Sequence, residues 1–108
     1  MLVANDGKAN GRQIVPAAWV RDATQSLDSH VAPGVVSSHF GHGYQFWTFP
    51  GGKRRFAFIG VRGQVIYVDP DLNLVMVHTA VWKEVGDRAA RAELLALWRG
   101  VVAHYGAW

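Results

Sequence analysis

The chain has no cysteine among its 108 residues. That removes disulfide frameworks, thiol nucleophiles and thiolate metal sites, and it fits a cytoplasmic protein, which is the expectation taken here. Charge is sparse as well: 18% of residues are charged and the formal net charge is +3. The basic residues are scattered, apart from Lys53-Arg54-Arg55 beside Pro50-Gly51-Gly52. A short basic tip on a hairpin reads as a solvated turn, because phosphate binding needs a wider basic face. No nucleic-acid partner is expected. No apolar run reaches the ~20 residues of a membrane span. The opening stretch MLVANDGKANGR also lacks the order of a secretory signal, a basic start, a long apolar stretch and a small-residue cleavage site.

What is present is apolar: 50% of residues are hydrophobic, enough for one folded domain at the small end of the usual range. Asn5-Asp6-Gly7 and Asn10-Gly11 are turn signals in quick succession, so Met1 to Ala4 reads as the tail of an earlier element. Val15 to Ala23 reads as a short helix with Pro16 at its first position. Residues 24–39 mix Ser, Asp, His, Pro and Gly without period and read as a surface loop. Strand signals then crowd together: Tyr44–Phe49, Arg54–Val61, Gln64–Asp69 and Leu74–Thr79, joined by short turns. Short links between consecutive strands predict an antiparallel meander of three to four strands. Asp87 is a candidate N-cap. Leu94, Leu97, Trp98, Val101, Val102 and Tyr105 recur at spacings of three and four, which predicts a C-terminal helix packed on one face of the sheet. The fold class is α+β. Phe56 to Ile59 and Val65 to Val68 are apolar at both parities, so the strands read as buried on both faces. The chain supplies too little material for the second face.

Candidate chemistry in the loops is thin. Ser26, Ser29, Ser37 and Ser38 stand in no Ser-x-x-Lys or Gly-x-Ser-x-Gly motif, and Ser37-Ser38-His39 places hydroxyl and imidazole together only in sequence. His39-Phe40-Gly41-His42, with His30, lacks a carboxylate fixed nearby and the clear spacing of a zinc site, so no metal is expected. No cofactor is expected either. His78 on an apolar strand reads as a satisfied core histidine, and His104 suits the negative end of the last helix. Asp69 and Asp71 flank Pro70 in one turn and read as turn chemistry rather than an acid–base pair.

The most informative stretch is FIGVRGQVIYVDP, Phe58 to Pro70, in which two glycines, an arginine and a glutamine interrupt a hydrophobic pair of strands. A tight turn would explain the glycines, and so would the need to bring bare backbone close to a ligand. Gly60-x-x-Gly63-Gln64-x-Ile66-Tyr67-Val68-Asp69-Pro70, followed by a strand and a helix, resembles the C-terminal end of the serine β-lactamase-related hydrolases. These include penicillin-binding-protein-like enzymes, class C β-lactamases and esterases. The stretch is most similar to the 6-aminohexanoate-dimer hydrolase branch, whose corresponding strand ends in Gly-Ile-His-Gly-Gln. Asn5-Asp6-Gly7, Asn10 to Ile14, Pro16 to Val20 and Gly43 to Trp47 extend the resemblance in order over nearly the whole chain.

The resemblance implies a β-lactamase/transpeptidase-like fold, with residues 1–108 as a single partial domain. It implies a serine hydrolase that opens amide or ester bonds of a small-molecule substrate through an acyl-enzyme. Phe58-Ile59-Gly60 would occupy the Lys-Thr-Gly place of the family. The Val61 N–H would be an oxyanion-hole donor, with Gly60 keeping the approach open. Arg62, Gly63 and Gln64 would border the substrate, and Arg62 either attracts a substrate carboxylate or is a solvated turn arginine. Ser-x-x-Lys and Tyr-x-Asn are absent, since Tyr44, Tyr67 and Tyr105 are followed two positions on by Phe46, Asp69 and Ala107. The chain alone is therefore expected to be inactive, the product of a truncated or split gene or a fragment cut from a longer chain. The expected partner is the missing N-terminal portion or a second copy of the chain. The alternative is a non-catalytic module that associates through an exposed sheet face or edge strand.

Overall fold

The computed structural model describes residues 2–35 and 37–108. Met1 and Val36 lie outside the described residues, and with them the first residue of the expected N-terminal tail and one position of the 24–39 loop. Leu2 to Gly7 form a turn in which the Leu2 carbonyl accepts from the Asn5 and Gly7 N–H groups. A small hairpin follows, β1 (Lys8–Ala9) and β2 (Arg12–Gln13). Its turn residues Asn10 and Gly11 both have positive φ, 51° and 74°, the geometry that matches strand twist in a two-residue connection. Helix α1 spans Ala17–Ala23, with Pro16 as the cap residue just before it. The loop beyond contains one 3-10 turn, Ser29–Val31.

The main sheet has five antiparallel strands in sequential order. They are β3 (Gly41–His42), β4 (Trp47–Thr48), β5 (Phe56–Ile59), β6 (Val65–Asp69) and β7 (Leu74–His78). The expectation of three to four strands is corrected at the N-terminal edge. Tyr44 to Phe46 do not extend β4 but make a tight turn, closed by Gly43 N–H to Phe46 O and Gln45 N–H to Gly43 O, with Gln45 at φ 64°. The turn releases Gly41–His42 to pair with Trp47–Thr48 as an added strand. Its aromatic residues are there to pack: Phe46 lies edge-on to Phe56 and Phe58, and Tyr44 leans on Trp19 of α1.

Helix α2 runs from Arg88 to Tyr105 across one sheet face, and the Asp87 carboxylate accepts from the Ala90 N–H as its cap. Its buried line is Leu94, Trp98 and Val102, one residue every fourth position. These meet Ala57, Val65 and Tyr67, with Trp98 stacked on the Tyr67 ring at 5.5 Å. Leu97 and Tyr105, expected in the same stripe, are instead 56% and 65% exposed. At 100° per residue they fall on the flank of the helix.

Strand register settles what lies on the second face. Phe56 opposes Val68 and Phe58 opposes Ile66, while on the next strand Val68 opposes Val75 and Ile66 opposes Val77. Ala4, Ala23 and Phe46 close over Phe56 and Val68 at one end of this face. At the other end Phe58 and Val77 are exposed, and so is Val75 beside Val68 on the β7 edge. The double-sided apolar pattern of the strands is thus half satisfied.

The basic cluster is not a solvated tip. Arg55 is buried, donating from Nε to Asp69 Oδ2 at 2.6 Å and from Nη2 to the Ala107 carbonyl at 2.7 Å. Arg54 binds Asp6 and the Thr24 hydroxyl, each at 2.8 Å, and Lys53 reaches the Ala107 carbonyl. Each cation clamps a distant segment to the β4–β5 connection.

Candidate functional site

The interrupted stretch connects β5 to β6. Gly60 N–H donates to the Gln64 carbonyl at 2.7 Å and closes the connection. Gly63 sits at φ +94°, and a Cβ there would lie 2.8 Å from the Trp82 ring. Glycine is therefore required twice over, by the backbone angle and by the indole against it. A Cβ on Gly60 would stand 3.0 Å from both Gln64 oxygens, the backbone carbonyl and Oε1, a tight but less severe fit.

Much of the connection serves to hold the segment between β7 and α2. Trp82 N–H donates to the Arg62 carbonyl and Gly86 N–H to the Val61 carbonyl. The Arg62 guanidinium returns two bonds from Nη1, to the carbonyls of Trp82 at 3.0 Å and Lys83 at 3.1 Å. The Gln64 amide donates to the Ala80 carbonyl at 2.7 Å, and His78 Nδ1 lies 2.7 Å from the Gly63 carbonyl. Sequence reasoning missed this knot. Its one sequence signal is Trp82, a large aromatic in a strand-to-helix link, which needs a seat and finds it on Gly63.

Val61 differs from its neighbours. It is 59% exposed, and its N–H makes no hydrogen bond among the described residues. Beside it, Phe58, Gly60, Ile66, Val77 and Thr79 line an open hollow of about 380 Å³ on the uncovered end of the sheet. Val61 itself is not part of that lining, but it follows Gly60, which is, and a free backbone donor is a group that can hold a developing negative charge.

The other sequence candidates are spent on structure. Ser37 Oγ accepts from Phe40 N–H at 2.9 Å and donates to the Phe40 carbonyl at 2.8 Å. No hydrogen bond joins it, or Ser38, to the His39 imidazole among the described residues. The His39 ring lies edge-on to Phe40 and Phe49, and its pKa is lowered by burial and, less, by the Arg99 charge. His42 packs on Trp47 instead of joining His39. No three His, Asp or Glu side chains stand together as a metal site among the described residues. Asp69 accepts from Arg55 and, through Oδ1, from the Leu72 N–H, so its turn role is joined by a buried ion pair.

No family model and no curated protein sequence matches the chain. Among solved structures it is similar to a protein described as "Putative 6-aminohexanoate-dimer hydrolase from Bacillus anthracis", with a TM-score of 0.77 and 21% identity. The match covers 95% of this chain and 26% of that protein. The chain therefore shares the fold of the matched part of that protein and spans about a quarter of its length. No helix among the described residues is long and apolar enough to cross a membrane.

Proposed function

We propose that the chain is the C-terminal portion of a serine hydrolase that opens amide or ester bonds through an acyl-enzyme, and that it supplies one wall of the active site. One observation carries the reading: a fold shared over 95% of the chain ends its central strand at an unengaged Val61 N–H. In such an enzyme a serine hydroxyl, relieved of its proton by a base, adds to the substrate carbonyl. The carbonyl oxygen takes the negative charge, and the Val61 N–H donates to it. The tetrahedral adduct then expels an alcohol or amine, and water releases the acyl group. Losing one such donor costs about 3 kcal/mol of transition-state stabilisation. Gly60 leaves room for the substrate, Gly63 and Gln64 fix the rim, and Arg62 stays exposed there to meet a substrate carboxylate. The nucleophile and its base belong to the N-terminal portion, which would cover Phe58, Ile66 and Val77. A cytoplasmic location belongs to the same reading.

The test has two stages. The purified chain is treated with a fluorophosphonate probe, followed by intact-mass analysis and a chromogenic ester assay. Neither adduct nor turnover is expected, and a stoichiometric serine adduct with turnover would overturn the proposal. The chain is then grafted in place of the matched quarter of the structurally similar hydrolase. The chimera should be labelled and active. Val61→Pro, which deletes the N–H, should lower its turnover by roughly 10²–10³.

A second reading, a non-catalytic interaction module, is favoured by the outer edge of β7, which pairs with no strand among the described residues. An adjoining reading frame that encodes Ser-x-x-Lys and Tyr-x-Asn would decide for the enzyme.

A further inference from the structure

On the helix face of the sheet, opposite Phe58, a cavity of about 530 Å³ lies between the N-terminal half of α2 and the loop before β3. Arg88 and Arg91 stand on one wall, and His39, Phe40, Trp47 and Leu95 are among the rest of the lining. Its volume is within the roughly 300–1,000 Å³ of small-molecule sites. Arg54 pairs with Asp6, Arg55 with Asp69, and Lys53 binds a carbonyl, whereas Lys8, Arg12, Arg21, Lys83 and Arg99 make no ion pair among the described residues. Arg88 and Arg91 pair with no carboxylate among the described residues. Asp87, next to Arg88, is committed to the Ala90 N–H, and Glu93, two positions from Arg91, makes no ion pair among the described residues.

Both arginines sit near the positive end of α2, whose first turn holds no acidic residue, so each cation is opposed by the helix dipole. Arg91 is held over the Trp82 ring, 5.7 Å from its centroid, which limits where its charge can go. The His39 ring also lines the cavity, with its Nε2 shielded from solvent and without a hydrogen-bond partner among the described residues. The rest of the lining is aromatic and aliphatic.

We propose that this cavity binds a small organic carboxylate, its charged end between Arg88 and Arg91 and its hydrocarbon body against Phe40, Trp47 and Leu95. The paired requirement separates it from a bare anion site. Inorganic phosphate fills the charged end only, and a neutral amide fills the apolar end only.

The test is isothermal titration calorimetry of the full chain with sodium octanoate, octanamide and inorganic phosphate. Octanoate should bind saturably, with one site per chain and at least roughly tenfold tighter than either control, since a hydrogen-bonded charge is worth that much. The Arg88→Gln, Arg91→Gln double variant should lose that preference while its thermal unfolding stays within a few degrees of the parent. The Arg88→Glu, Arg91→Glu double variant provides a second check, because it should turn the preference toward octylammonium. Octanamide or phosphate binding as tightly as octanoate would overturn the proposal. So would octanoate binding that survives the double variant, or no saturable binding at all.

Discussion

Arg55 and Asp69 are 4% and 1% exposed, and their 2.6 Å contact, with the Ala107 carbonyl on Arg55 and the Leu72 N–H on Asp69, makes the two charges tolerable there. A buried ion pair adds little net stability, but removing one partner strands the other in a low-dielectric interior. Asp69→Ala also removes the acceptor for the Leu72 N–H. The variant should lose about 3–5 kcal/mol in urea unfolding, whereas Arg55→Met with Asp69→Leu should recover most of the loss. Two titratable groups add a pH dependence. Burial lowers the His39 pKa below 6.5, so the unfolded chain binds that proton more readily. The stability this group contributes is present above about pH 6.5 and is lost as pH falls through its folded value. Burial raises Tyr67 from 10.0 to about 12. Its contribution is complete below pH 10 and lost between pH 10 and 12. Urea midpoints measured across pH should show both declines. Phenolate absorbance should show one of the three tyrosines ionising only as the fold is lost.

Among the elements, the β5–β6 connection carries the most information per residue. Gly63→Ala would force a side chain into positive φ and drive its Cβ to 2.8 Å from Trp82. It should cost more than about 1 kcal/mol, and hydrogen exchange should show the 80–86 segment released before the sheet. A variant that leaves both stability and exchange unchanged would mean that Trp82 has another seat. How far this stretch could be read in advance follows from range. Strand positions from Arg54 onward, the cap at Asp87 and the turn at Asn10-Gly11 rest on local rules, period and backbone angle, and the structure agrees with them. The Tyr44 to Phe46 run misled because aromatic residues favour strands only when something extended lies beside them; here the turn at Gln45 let Phe46 be buried without extension. The role of the glycines was half legible. A broken strand is visible in sequence, but the partners of Arg62, Gln64 and Gly63 lie fifteen to twenty-one residues away and leave no local mark. The same holds for Arg55 with Asp69. A basic tip and a clamp have one composition, and only the return of β6 beside β5 tells them apart.

At the scale of the molecule, the surface is too large for the mass. A chain of 11.9 kDa exposes 6558 Å², where a compact protein of that mass exposes about 5,900 Å². The excess has identifiable places: the open end of the second sheet face and the α2 flank that carries Leu97 and Tyr105. On that open face Phe58, Val75 and Val77 are exposed around the half-buried Ile66, forming a connected patch because cross-strand register puts them side by side. Such a patch drives association in water at about 25 cal/mol per Å² removed. The isolated chain should therefore self-associate in sedimentation velocity at micromolar concentration. Val77 is 63% exposed, so Val77→Lys adds a charge without emptying the core. It should weaken association by about tenfold and leave the unfolding midpoint nearly unchanged. A matched substitution on the helix flank, Leu97→Lys, separates the two surfaces. If Leu97→Lys disperses the chain and Val77→Lys does not, the helix flank carries the contact, and the open sheet face loses the docking role proposed for it.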